Sequence, residues 1–149
     1  SEFLKFSPRE IGYSFVYIGS IVILIQGGVI RRISGKVSEK KISLLGAGLI
    51  LIGYFTLSNS YNTYLTFIAL TFLSAGSAFL NPGLSSLTSL FSSKMDQGKN
   101  IGLFRSFGAL ARALAPISYA VIYFSHGPNF TFTVSGIIGI IFISILFKL

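Results

Sequence analysis

The sequence predicts an all-α, polytopic membrane helix bundle with five transmembrane helices, and three observations lead there. Apolar residues make up 52% of the chain and charged ones 11%, with a mean hydropathy of +0.75, which leaves too little charge to cover a soluble domain. The apolar residues fall in five runs, most of them near the length that crosses ~30 Å of hydrocarbon. The basic residues collect in alternate connections between those runs, as in a protein with a fixed orientation in a bilayer.

The first run, Ile11 to Ile30, carries no charge and can span. Ile42 to Ser58 is shorter, but the lysines just ahead of it can lay their stems along apolar surface and keep their ammonium groups at the interface. Tyr64 to Phe91 is longer than a span needs and contains Asn81-Pro82-Gly83. Proline removes a backbone donor and glycine weakens the helix, so an interruption with a kink and exposed carbonyls is expected. Such backbone persists in a membrane only where protein buries it or where it lines a cavity. Asn81 is therefore a candidate to meet a polar solute, a packing kink being the alternative. Ser85, Ser86, Thr88 and Ser89 follow it and are expected to bond between helices. Ile101 to Ser125 holds Arg105, Arg112 and Pro116, and Asn129 to Phe147 forms the fifth run.

Charge orients the bundle. Arg31, Arg32, Lys36, Lys40 and Lys41, opposed by Glu39, form a basic first connection; Lys94 and Lys99, with Asp96, lie in the third. The second and fourth connections, 58–63 and 125–129, contain neither lysine nor arginine. The positive-inside rule then puts the basic connections and the C-terminus, with Lys148, in the cytosol, and the N-terminal segment outside. That segment holds Lys5 and Arg9 against Glu2 and Glu10 and does not oppose the assignment. An odd number of spans starting outside, without initiator methionine or signal peptide, reads as a truncation with at least one earlier helix.

The fourth run carries the sharpest chemical signal. Gly98, Gly102, Arg105, Ala109, Arg112, Pro116, Tyr119 and Tyr123 follow one another at alternating spacings of four and three, which puts them on one stripe of a helix. Leu103, Phe107, Leu110, Leu114, Ile117 and Val121 form an apolar stripe beside it, suited to lipid or tight packing. A charged side chain at the centre of a spanning helix costs roughly 2.5–3.5 kcal/mol on insertion scales and normally faces protein or a water-filled cavity. Arg112 lies near the centre, so it is a candidate for a polar pathway, the alternative being satisfaction by carbonyls or a buried partner. Arg105 lies nearer the cytosolic end, where snorkelling to head groups accounts for it.

Other chemistry finds little support in these residues. The net charge of +8 would fit nucleic acid, but it sits in short loops, away from any face with stacking aromatics. There is no cysteine, and the four acids lie outside the runs, so a thiolate metal site or a carboxylate pair within the membrane has no residues to use. His126 stands beside Gly127 and Pro128 and reads as an interfacial turn residue. No enzyme activity, cofactor or metal is expected. Asn129-Phe130-Thr131 matches a glycosylation acceptor, but at the start of a span it is a poor substrate. Gly98-x-x-x-Gly102 is a weak packing motif.

The string Gly102-Leu-Phe-Arg105-Ser-Phe-Gly-Ala-Leu-Ala-Arg112-Ala-Leu-Ala-Pro116 resembles the eleventh helix of major facilitator transporters of the tetracycline-transporter-like branch. Asn81-Pro82-Gly83-Leu84-Ser85-Ser86 looks like the tenth, and Gln26-Gly27-Gly28 with the basic residues after it is similar to the end of the eighth and its following loop. Arg31 or Arg32 stands there where that loop usually has an acid, which removes an acid-based latch from this half. The resemblance implies that residues 1–149 are helices eight to twelve of a twelve-span fold, part of one transporter domain whose N-terminal half is missing. It also implies secondary active transport, such as antiport, of small organic solutes, organic anions or drug-like compounds, by alternating access. Arg112, with Arg105 nearby, would pair with substrate or with a carboxylate of the missing half; Tyr119 and Tyr123 would line the outward part of the cavity, and Asn81 would supply an amide. The competing expectation is a non-transporting truncated protein, scaffold or receptor of the same fold.

Overall fold

In the computed structural model, which describes residues 7–60 and 62–148, five helices follow one another: α1 (Pro8–Ile33), α2 (Glu39–Ser58), α3 (Thr63–Leu90), α4 (Gln97–His126) and α5 (Pro128–Lys148). Each contains a stretch long and apolar enough to cross a membrane. The chain forms an all-helical membrane bundle.

The helices extend past several of the expected runs because polar residues at their ends continue the helix into the interface. Ser7 and Glu10 start α1 with a capping box: the Ser7 backbone N–H donates to the Glu10 carboxylate at 2.7 Å, and the Glu10 N–H donates to the Ser7 hydroxyl at 3.4 Å. Pro8 stands in the first turn, where its missing donor costs nothing. At the other end α1 runs on through Arg31 and Arg32. Gly35, at φ 78°, then turns the chain toward α2, which begins ahead of Ile42 and takes in Lys40 and Lys41. Asn62 caps α3 by accepting from the Leu65 N–H at 2.9 Å. Glu2 and Lys5 of the N-terminal segment and Tyr61 of the second connection lie outside the described residues.

The expected interruption at Asn81-Pro82-Gly83 is absent: α3 is helical throughout, with Pro82 inside it. Proline deprives a single carbonyl of its partner, and the turns on both sides are clamped against α2, with Gly76 and Leu80 on Gly46 and Gly83 on Ser43. Gly83 packs on Ser43 so closely that a Cβ there would collide with the serine hydroxyl.

That clamp is the core of the fold. The α2–α3 interface is built from Ser43, Gly46, Ile50 and Gly53 on one side and Leu73, Gly76, Leu80 and Gly83 on the other. A Cβ on Gly46 would stand 2.6 Å from the Leu80 nitrogen, and one on Gly76 would stand 2.6 Å from the Gly46 carbonyl oxygen. Small residues let the two backbones touch, which is how helices associate where lipid provides no hydrophobic drive. The remaining helices attach around this pair. α5 lies antiparallel on α2, with Gly139 against Leu51 and Lys40 reaching Phe147. α1 lies against α3 through Tyr17, whose hydroxyl is 2.7 Å from that of Thr71 and whose ring meets Phe67 edge-on at 5.3 Å. α4 touches α3 near their connection and α5 beyond it.

The last turns of the apolar part of α1 depart from α-helical geometry: Ile25–Ile30 is a π-helix. Gly27 and Gly28 sit in it with no atom near where their Cβ atoms would be, so the loosened turn is not forced by crowding.

Candidate functional site

Two turns of α3, the π segment of α1 and the first half of α4 enclose an open cavity of about 940 Å³. α3 contributes Asn81, Pro82 and the hydroxyls of Ser85, Ser86 and Ser89, and the π segment adds Gln26 and Ile30. α4 contributes Phe104, Arg105, Gly108 and Arg112. The connection between α3 and α4 is stapled by side-chain amides, Gln97 donating to Ser89 and Asn100 to Ser92 at 2.9 Å, which sets where the arginine face of α4 begins.

No described residue lining the cavity is acidic, so its two guanidinium groups give it a positive field. They are two helical turns apart, about 10 Å along the axis. The Arg112 side chain folds back over its own helix, with Nη1 in van der Waals range of the Cβ position of Gly108. In a water-poor setting a positive charge of this kind interacts strongly with an incoming anion, and hydroxyl and amide groups around it can take the remaining hydrogen bonds.

The five residues singled out on the spans are thus divided. Arg105, Arg112 and Asn81 share the cavity. Tyr119 points elsewhere: its hydroxyl lies 2.7 Å from that of Ser135 on α5, which donates in turn to the Thr131 carbonyl at 2.9 Å. It lines a second, smaller cavity of about 240 Å³ with Tyr54, Leu80 and Ile138. Tyr123 packs its ring edge-on against Phe124 at 5.7 Å and lines neither cavity. The reason is a change of neighbour. The stripe is continuous along α4, but its later turns approach α5, because Gly127, at φ 84°, folds the chain straight back into that helix.

Among the basic residues of the first connection, Arg31, Arg32, Lys36 and Lys41 are exposed and line neither cavity. Lys40 is tied down, donating to the Phe147 carbonyl at 2.9 Å with its ammonium 5.6 Å from the ring centre of the same residue. His126 stacks on Phe130 at 4.8 Å in the turn between α4 and α5. The Asn129 side chain of the glycosylation match lies outside the described residues. Gly98 and Gly102 meet no neighbour.

Gln26 was not among the residues the sequence singled out for the site, although Gly27-Gly28 in an apolar run is a mark of weakened helix. Ser89 bonds between helices as expected and lines the cavity together with Ser85 and Ser86, whereas Thr88 donates within its own helix, to the Leu84 carbonyl at 2.9 Å.

The family model described as Major Facilitator Superfamily matches residues 1–149. Major facilitator superfamily domain-containing protein 10 of Mus musculus is 33% identical over 146 residues, covering 97% of this chain and 32% of that protein. The Homo sapiens protein of the same name is 32% identical over 131 residues, covering 87% and 28%. Solute carrier family 22 member 18 of Rattus norvegicus is 25% identical over 150 residues, covering 99% and 36%. The chain thus spans about a third of the length of the curated relatives it matches. With five membrane-spanning helices and a family match along its whole length, the chain belongs to the Major Facilitator Superfamily.

Proposed function

We propose that this chain is the C-terminal portion of a secondary active transporter, helices eight to twelve of the tetracycline-transporter-like branch, carrying small organic solutes with an anionic group. The observation that carries the reading is the shared cavity of Arg105, Arg112 and Asn81, open on one side and without a described acid. Arg112 attracts the anionic group, Asn81 and the serines of α3 orient it, and Arg105 extends the positive field toward the cytosolic end. The rest of the bundle rocks against these helices to expose the cavity to each side in turn. The C-terminus then lies in the cytosol on the same side as the basic first connection. Family membership supports transport, and the relatives are named for the same superfamily or as a solute carrier.

The test is flux of a labelled organic anion into vesicles holding the full-length protein. Saturable flux is expected, and Arg112→Ala abolishes it with membrane insertion and abundance unchanged. Undiminished transport by Arg112→Ala refutes the role given to that residue. The absence of any saturable solute flux would favour a scaffold or receptor of the same fold.

A further inference from the structure

We infer that the groove between α2 and α5 holds one hydrocarbon chain of a phospholipid from the leaflet opposite the basic connections. It is separate from the arginine cavity and rests on the membrane placement of the helices alone. The groove encloses about 210 Å³ between Leu51, Tyr54 and Phe55 of α2 and Phe132, Gly136 and Ile140 of α5. An apolar cavity of about 150 Å³ already holds a benzene molecule, so this one has room for part of an alkyl chain. It is far too narrow for another helix, which is about 10 Å across.

Three observations select the occupant. The rim is apolar and open, with Phe55 75%, Ile137 53% and Ile140 56% exposed, and in a bilayer such a rim faces hydrocarbon. Polar lining gathers at one end, where Ser58, Asn59 and Thr133 stand. That end is opposite the Lys40–Phe147 contact, and hence opposite the basic face. From Leu51 to Asn59 the α2 wall rises about 12 Å, which places hydroxyl and amide groups toward the interface and apolar side chains deeper, the polarity profile of a lipid with its head outward. Finally, the floor is left open by a missing side chain: a Cβ on Gly136 would meet nothing within 4 Å. On α5 this contrasts with Gly139, one turn on, where a Cβ would stand 2.5 Å from Leu51 Cδ2. One glycine is needed for contact between the helices, and the other leaves a slot.

The test uses the full-length protein in phosphatidylcholine vesicles doped with a phosphatidylcholine that carries a diazirine in mid-chain. After illumination, adducts are mapped by peptide mass spectrometry. Labelling is expected to concentrate in 51–59 and 132–140, above the level on the open apolar stripe of α4 at Phe107 and Leu114. Gly136→Leu fills the slot from an open position and should cut groove labelling several-fold while the α4 level stays the same. Gly136→Ala, which raises helix propensity but leaves most of the slot, should keep it. Equal labelling of groove and α4 stripe, or groove labelling unchanged in Gly136→Leu, overturns the inference. The unchanged α4 signal shows that the variant remains inserted.

Discussion

α3 and α4 are neighbours of similar length, and they are built for opposite purposes. α3 sets Gly76 and Gly83 against α2 so closely that the backbones touch, while α4 has no buried residue among those described. α3 therefore serves as the post on which the bundle is hung. α4 is held at its ends, through the amide staples near Gln97 and through Tyr119 on Ser135, and its arginine turns border the cavity between. A helix with few packing commitments is free to carry charges that a tightly packed one would have to neutralise.

The contrast can be broken at the post. Gly76→Leu places a side chain where the Gly46 carbonyl oxygen and the Ile50 backbone already stand, and should cost about 3 kcal/mol or abolish assembly. Loss of the monodisperse peak in detergent chromatography, or a large fall in thermal midpoint, is the readout. A variant as stable as the parent would show that α2 and α3 can part without penalty.

Because the chain contains no cysteine, accessibility can sharpen the comparison without background. Ser86→Cys, on the cavity, should react readily with a water-soluble thiol reagent. Ala69→Cys, fully buried on the stripe of Gly76 that faces α2, should stay unreacted until the protein unfolds. Equal reaction at both positions would mean that the α3 faces do not differ in exposure to water.

Smaller effects belong to α4 itself. Tyr119→Phe removes the hydroxyl bonded to Ser135 and should cost about 0.6–1 kcal/mol, the usual worth of an interhelical hydrogen bond in a membrane. A double-mutant cycle with Ser135→Ala isolates that coupling, and a coupling near zero would remove the bond from the forces that hold α4. Gly102→Ala should be neutral or stabilising by less than about 1 kcal/mol, since nothing lies near its Cβ position and alanine is the better helix former. Destabilisation there, in a melt of the full-length protein, would reveal a neighbour on the open face of α4.

How much of this was legible follows from what a helix makes periodic. Length and hydropathy located all five spans, because a bilayer imposes both on a contiguous stretch. The stripe arithmetic put Arg105 and Arg112 on one face, because both depend on a single helix. It could not tell that Tyr119 would meet Ser135 rather than the cavity, since that depends on which helix lies opposite each turn. The glycines show the same limit. Gly98 and Gly102 look like a packing motif and touch nothing, whereas Gly46 and Gly76, with no such spacing, bring two backbones together. The π segment was hidden because its two glycines break no periodicity that the surrounding isoleucines and valines would reveal.

That π segment has a consequence for the chain's reading frame of faces. A wider turn holds one residue more than an α-turn, so removing Gly28 would restore regular winding while leaving the span long enough to cross the bilayer. Were all six residues kept and wound as a regular α-helix instead, everything on one side of the segment would rotate by roughly 100° relative to the other, and Gln26 and the Arg31-Arg32 pair could not keep their present headings together. The wide turn absorbs the rotation of the surplus residue, so the direction of a cavity amide and that of a surface charge are held in step through the width of one turn.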